Sequence, residues 1–284
     1  MTFETLPPTN RRSRRQRRVW LTLPVLIGGT FVLFWIAVAL TIDLWTPHDP
    51  LRMVGRRLQA PNWDHWLGTD ALGRDVLTRT LHGARYSILI AVVVVASAVF
   101  IGAMLGALAG FFGGLFGGAI MRLVDVTLSF PPVLLAMAVA ASLGPGLENA
   151  AIAMVLVWWP VYARLMRAQV LEVKEREHVE AAIAGGATRT RLLFKHILSL
   201  CWTPILINAT MDFGQVVLLA AALSFIGLGA TPPTPEWGAM ISEGASQFYS
   251  WWIAFGPGLA ILTIVLGFNF LGDGLRDILD PRSN

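Results

Sequence analysis

Lysine, cysteine and charge are all scarce in this chain, and each shortage removes a class of function. Only two lysines occur among the 284 residues, Lys174 and Lys195, and neither follows a glycine. A phosphate-binding loop needs Gly-Lys before its Ser or Thr, so the chain is not expected to hydrolyse a nucleotide itself. A single cysteine, Cys201, excludes an internal disulfide and a thiolate metal cluster and reads as a small packing residue. The five histidines, at 48, 65, 82, 178 and 196, form no His-Glu-x-x-His pattern, which leaves a catalytic zinc site without support. No Gly-x-Ser-x-Gly nucleophile turn occurs either. Catalytic residues, a metal site and a cofactor of the chain's own are therefore not expected. Charged residues make up only 14% of the sequence against 55% hydrophobic ones, with a mean hydropathy of +0.61, too apolar for a soluble domain of this length.

What is there in abundance is apolar sequence, and it predicts an all-α polytopic membrane protein with six transmembrane helices. The first uncharged run, Val19 to Ile42, has 24 residues. Ser13-Arg14-Arg15 resembles a twin-arginine export signal and Ala37-Val38-Ala39 a cleavage site. A signal core of roughly 7–15 residues is shorter than this run, however, whereas a span needs about 20. The reading is an uncleaved anchor with Trp20 and Trp45 near the two interfaces. A second span is expected between Arg85 and Arg122, a third at Leu123 to Leu147, a fourth at Asn149 to Met166, a fifth at Leu200 to Leu228 and a sixth at Trp251 to Leu271.

Charge sets the expected orientation. Arg11, Arg12, Arg14, Arg15, Arg17 and Arg18 abut the first span against one acid, Glu4. Such a cluster fixes topology here rather than binding nucleic acid. Seven Lys or Arg lie from Arg164 to Lys195 and none from Glu236 to Ser250, so both termini are expected in the cytoplasm. The expected division is a cytoplasmic tail at 1–19, a first transmembrane helix at 20–42 and an extracytoplasmic segment at 43–83. The main transmembrane domain follows at 84–273, with a charged cytoplasmic loop at about 167–200, and then a cytoplasmic tail at 274–284.

Within the spans, Gly102, Gly106, Gly110, Gly114 and Gly118 recur every fourth residue. They are read either as a flat strip for a neighbouring helix or, for the later members with Gly113 and Gly117, as a flexible turn. Pro131-Pro132 and Pro160 are expected to interrupt the third and fourth spans as kinks. Two acids stand out because a lone carboxylate in hydrocarbon is costly. Asp125 has a ready partner in Arg122, three residues earlier, and Asp212 is expected to face protein or water rather than lipid.

The segment Glu172 to Lys195 carries charges of both signs and good helix formers, and reads as a short helix, a glycine break and a second helix. Within it, Glu180-Ala181-Ala182 followed by Gly186 resembles the EAA loop of ABC importer permeases, which docks on the ATP-hydrolysing subunit. His65-Trp66-Leu67-Gly68-Thr69-Asp70, Gly73-Arg74-Asp75-Val76 and Gly83-Ala84-Arg85 are similar to the segment before the second span in permeases of the dipeptide, oligopeptide and nickel uptake family. Leu223-Ser224-Phe225-Ile226-Gly227-Leu228-Gly229, Pro235-Glu236-Trp237-Gly238 and the ending Asn269 to Arg282 resemble that family's second-permease subunit. His196 is usual for the peptide group in the continuing pattern, while Ser199 replaces a proline and relaxes the kink expected before the fifth span. Asp212 looks closer to nickel permeases.

The resemblance implies a type I ABC importer permease fold in a bacterial or archaeal plasma (inner) membrane. The implied partners are a second homologous permease, two ATP-binding subunits carrying ATP and magnesium, and an extracytoplasmic substrate-binding protein, all set in the lipid bilayer. Glu180, Ala181, Ala182, Gly186 and His196 are the implied coupling residues, and Asp212, Asp125 and Arg122 are the residues expected on the translocation path or at the interface with the second permease. Gly68, Thr69, Asp70, Gly73, Arg74 and Asp75 form the extracytoplasmic motif, with Trp63, Trp66, Asp70 and Arg74 expected at the outer membrane surface or against the partner permease. Short peptides are the implied substrate, with nickel or another small solute as the alternative. A secondary transporter would need a repeated half, and an intramembrane enzyme would need paired catalytic groups; neither pattern is evident.

Overall fold

The computed structural model describes residues 23–46 and 49–279. The arginine-rich tail, Trp20 and the last residues of the C-terminal tail, with the expectations placed on them, lie outside the described residues. The described chain is helical: α1 (Leu23–Trp45), α2 (Val76–Phe112), α3 (Gly114–Leu128), α4 (Pro132–Leu143), α5 (Leu147–Lys174), α6 (Glu177–Ala184), α7 (Arg189–Arg191), α8 (Leu198–Phe225), α9 (Trp237–Ser246) and α10 (Trp252–Leu279). Apolar helices satisfy their own backbone groups, which is what hydrocarbon demands. Among the described residues, five helical stretches are long and apolar enough to cross a membrane. The count becomes six if the bent pair α3 and α4 is one span.

That pair corrects the third span. The single kinked span expected over Leu123 to Leu147 is instead two helices meeting at 93° across a break of a few residues. Pro131 and Pro132 explain it: neither has an N–H to continue the ladder of α3, and Pro132 instead sits in the first turn of α4, where the missing donor costs nothing. Pro160, by contrast, lies inside the continuous 28-residue helix α5.

The glycine strip serves both readings along its length. A Cβ at Gly102 would meet the Trp159 carbonyl, and one at Gly106 would meet the Ala163 backbone, so these two positions bring α2 and α5 into direct backbone contact. Gly110 adds a close approach to Val170. Further on, Gly113 and Gly114 both have positive φ and turn the chain into α3.

On the other side α1 packs along α10, where Gly28 approaches the Gly267 carbonyl and Trp35 Nε1 donates to Thr263 Oγ1 at 2.9 Å. Two larger buried clusters fill most of the bundle among the described residues. One joins Trp35, Val94, Met154, Phe213, Trp237 and Ile264. The other runs from Tyr162 and Met166 to Val179, Leu193 and Ile197, tying the charged loop to the spans.

Candidate functional site

The charged loop forms a helix, a turn and a second helix, as the sequence predicts. In α6 Val179 is fully buried against the bundle while Glu180, Ala181, Ile183 and Ala184 are exposed. The helix therefore rests on Val179, with half-buried Ala182 packed against the same cluster, and offers a low face outward. Its end is closed by two backbone bonds, Gly186 N–H to Ile183 O at 2.9 Å and Ala187 N–H to Ala182 O at 3.0 Å. This is a Schellman closure, and it needs a left-handed residue: Gly186 has φ +78. A Cβ at Gly186 would meet nothing within 4 Å, so glycine is required there for conformation rather than for space.

The Glu180 carboxylate has no hydrogen-bond or ion-pair partner among the described residues. It stands in the first turn of α6 beside Glu177, where negative charge favours the helix N-terminus. His196 falls in a π-helical turn, Leu192–Ile197, that feeds α8. Here the wider turn accompanies the serine at 199, whose hydroxyl donates to the Lys195 carbonyl at 2.9 Å. Sequence reasoning missed two exposed apolar residues of this region, Ile183 at 57% and Phe194 at 66% exposure. The available signal was a large apolar residue inside an otherwise charged loop.

At the other end, the motif from Gly68 to Asp75 builds a compact cap over the start of α2. Asp70 is 1% exposed and accepts from Arg74 Nε at 2.6 Å. Arg79 Nε lies 3.3 Å from the same oxygen, and Arg74 also reaches Glu243 on α9 at 3.4 Å. Asp75 caps α2 by accepting from Thr78 N–H at 2.7 Å, and His65 Nδ1 contacts it at 3.0 Å. Gly68 and Gly73 take positive φ, and Trp252 Nε1 donates to the Thr69 carbonyl at 3.1 Å. Asp70 and Arg74 are thus buried in the chain's own cap rather than presented at its surface. Trp63 and Trp66 are the exposed members, at 95% and 71%. Arg79 and Glu243 were not singled out from sequence; Glu243 lies 169 residues from Arg74, and no local pattern marks it.

Asp125 is paired, but not with Arg122. Arg164 of α5 donates to it at 2.6 Å, a tertiary contact that displaces the expected local one. Asp212 on α8 accepts from the Tyr162 hydroxyl of α5 at 2.7 Å and from Asn208 Nδ2 at 3.5 Å.

Residues 102–284 match the family described as binding-protein-dependent transport system inner membrane component. The chain is 43% identical over 261 residues to the dipeptide transport system permease protein of Alkalihalophilus pseudofirmus, covering 91% of this chain and 84% of that one. It is 46% identical over 279 residues to the glutathione transport system permease protein of Salmonella paratyphi A, covering 96% and 89% respectively. Among solved structures, the fold is similar to a chain of the inward-facing MetNI methionine ABC transporter, with a TM-score of 0.58 and 21% identity over 72% of this chain and 97% of that one. Together with these relatives, the multi-pass helical bundle and its charged loop define an ABC importer permease. The chain belongs to the binding-protein-dependent transport system inner membrane component family.

Proposed function

We propose that this chain pairs with a second, similar permease to form the translocation path of an ATP-driven importer of short peptides. The observation that carries the reading is α6: one buried anchor, Val179, an outward face of small residues and glutamate, and a glycine closure that fixes where the helix ends. Such a helix suits insertion into a groove of an ATP-binding subunit, and exposed Ile183 gives that contact an apolar centre. ATP and magnesium act on two such subunits. Their closure draws the coupling helices together, and the permeases rotate so that the central cavity opens outward. Ligand arrives from an extracytoplasmic binding protein, and both termini lie in the cytoplasm, with residues 43–83 outside. No bond is made or broken by this chain. The peptide assignment is supported by relatives named for dipeptide and glutathione transport.

The test is co-purification followed by reconstitution. The tagged chain should bring down a second permease and an ATP-binding subunit, and proteoliposomes holding the complex and its binding protein should take up a dipeptide only with ATP. A chain that purifies alone, or uptake that runs without ATP, overturns the proposal.

A further inference from the structure

Asn208, Asp212 and Gln215 stand at i, i+4 and i+7 on α8, so they share one face of a membrane-spanning helix. Asn208 and Asp212 are half-buried and Gln215 is exposed. Three polar side chains in a row on a lipid-facing stripe are disfavoured, and an acid near mid-span costs on the order of 2.5–3.5 kcal/mol on insertion scales. The face must therefore look onto water or protein.

The carboxylate is also held in a particular way. Tyr162, itself fully buried, and Asn208 both donate to Oδ2, at 2.7 and 3.5 Å. Both donors are neutral. Among the described residues no arginine, lysine or histidine forms an ion pair with Asp212, although Asp125 on the neighbouring bent pair has Arg164 and Asp70 has two arginines. Neutral donors orient a carboxylate and leave its charge uncompensated. Whenever such a carboxyl is ionised, its uncompensated negative charge inside a span attracts a cation.

We infer that the Asn208–Asp212–Gln215 face lines the translocation path and that Asp212 is the counter-charge for the α-ammonium group of the transported peptide. This rests on the peptide-import reading above and adds a specificity-determining residue to it. The ammonium is the one cation every free peptide carries, whatever its side chains. Tyr162 acts as a positioning residue: its hydroxyl keeps Oδ2 turned towards α5, which fixes how the carboxylate presents itself to the path.

The experiment uses the complete importer in proteoliposomes, with Gln215→Cys in a Cys201→Ser background. Thiol reagents of equal size, one bearing an ammonium and one a sulfonate, are applied from either side during ATP turnover. Rates are normalised to a free thiol. The ammonium reagent should react on the order of a hundredfold faster than the sulfonate, because a unit charge within about 10 Å at an effective dielectric of about 20 speeds one roughly tenfold and slows the other by as much. Asp212→Asn should remove that preference and Asp212→Glu should retain it. Absence of labelling, which would mean that lipid or the second permease covers the face, overturns the inference. So does a charge preference that survives Asp212→Asn. Uptake measured before labelling separates the two claims: ATP-driven uptake without charge preference sinks this inference alone, while absence of ATP-driven uptake by the unmutated complex sinks the import reading.

Discussion

Arg74 Nε lies 2.6 Å from Asp70 Oδ2, and both side chains are almost completely enclosed by the cap over the start of α2. Arg79 and Glu243 complete a four-member charge cluster that binds the cap to α9. Removing one member of a buried set leaves its partners charged and unpaired. Asp70→Asn should destabilise the chain by about 3–5 kcal/mol, read as a lowered melting temperature in detergent. Asp64→Asn, on the exposed side of the same loop, should stay within about 0.5 kcal/mol of the parent. Equal melting temperatures for all three proteins would remove the structural role of the cluster.

The contact of α2 with α5 depends on missing side chains. Gly106→Val would force the Ala163 backbone away and should cost at least about 1–3 kcal/mol, seen as lost thermostability and lower recovery of assembled complex. Gly118→Ala faces open space and should be neutral in the same assay.

Asp125 distinguishes a tertiary partner from a local one. Double-mutant cycles should show coupling between Asp125 and Arg164 but none between Asp125 and Arg122. Both groups of the observed pair are more than half exposed, so the coupling should not exceed about 1 kcal/mol. Coupling confined to Arg122 would contradict the placement of α3 against α5.

Glu236 caps α9 by accepting from the Ala239 N–H at 3.0 Å while 1% exposed, and its burial pushes the carboxyl above its ordinary pKa. A folded-state pKa raised above the unfolded one contributes stability that is fully present below the unfolded value. That contribution is lost as pH rises through the folded value. Stability should therefore fall as pH climbs out of the ordinary carboxylate range, and Glu236→Gln, which keeps an acceptor oxygen, should flatten that fall. An unchanged pH profile in Glu236→Gln would show that this carboxyl does not titrate in the transition.

Much of this architecture is legible in the sequence because hydrocarbon tolerates so few solutions. Uncharged runs mark the spans, and the mixed charges of Glu172 to Lys195 cannot lie among them. Gly186 could be read as a helix stop, since a left-handed closure favours glycine so strongly. The break between α3 and α4 was only half legible: Pro131-Pro132 signalled a disturbance, but apolar composition continues across it and gives no angle. Partners were the least legible part. Arg164 displaced Arg122 at Asp125 through a contact 39 residues away, and Glu243 joined Arg74 across 169. Such pairs are set by helix packing, which a single sequence does not print. The same holds for Asp70 and Arg74, whose charges suggested a surface and whose neighbours form an enclosed cluster.

The central claim is that α6 and its glycine closure transmit ATP-driven closure to the spans, and Gly186→Val tests it most directly. Valine has space at that position but not the conformation: the left-handed region costs an L-residue roughly 1–2 kcal/mol, and a β-branched one more. The variant should insert and assemble at parental levels. Peptide uptake and ligand-stimulated ATP hydrolysis should fall together, on the order of tenfold. A Gly186→Val importer that binds its ATP-binding subunits fully and keeps full ligand-stimulated hydrolysis would contradict the account.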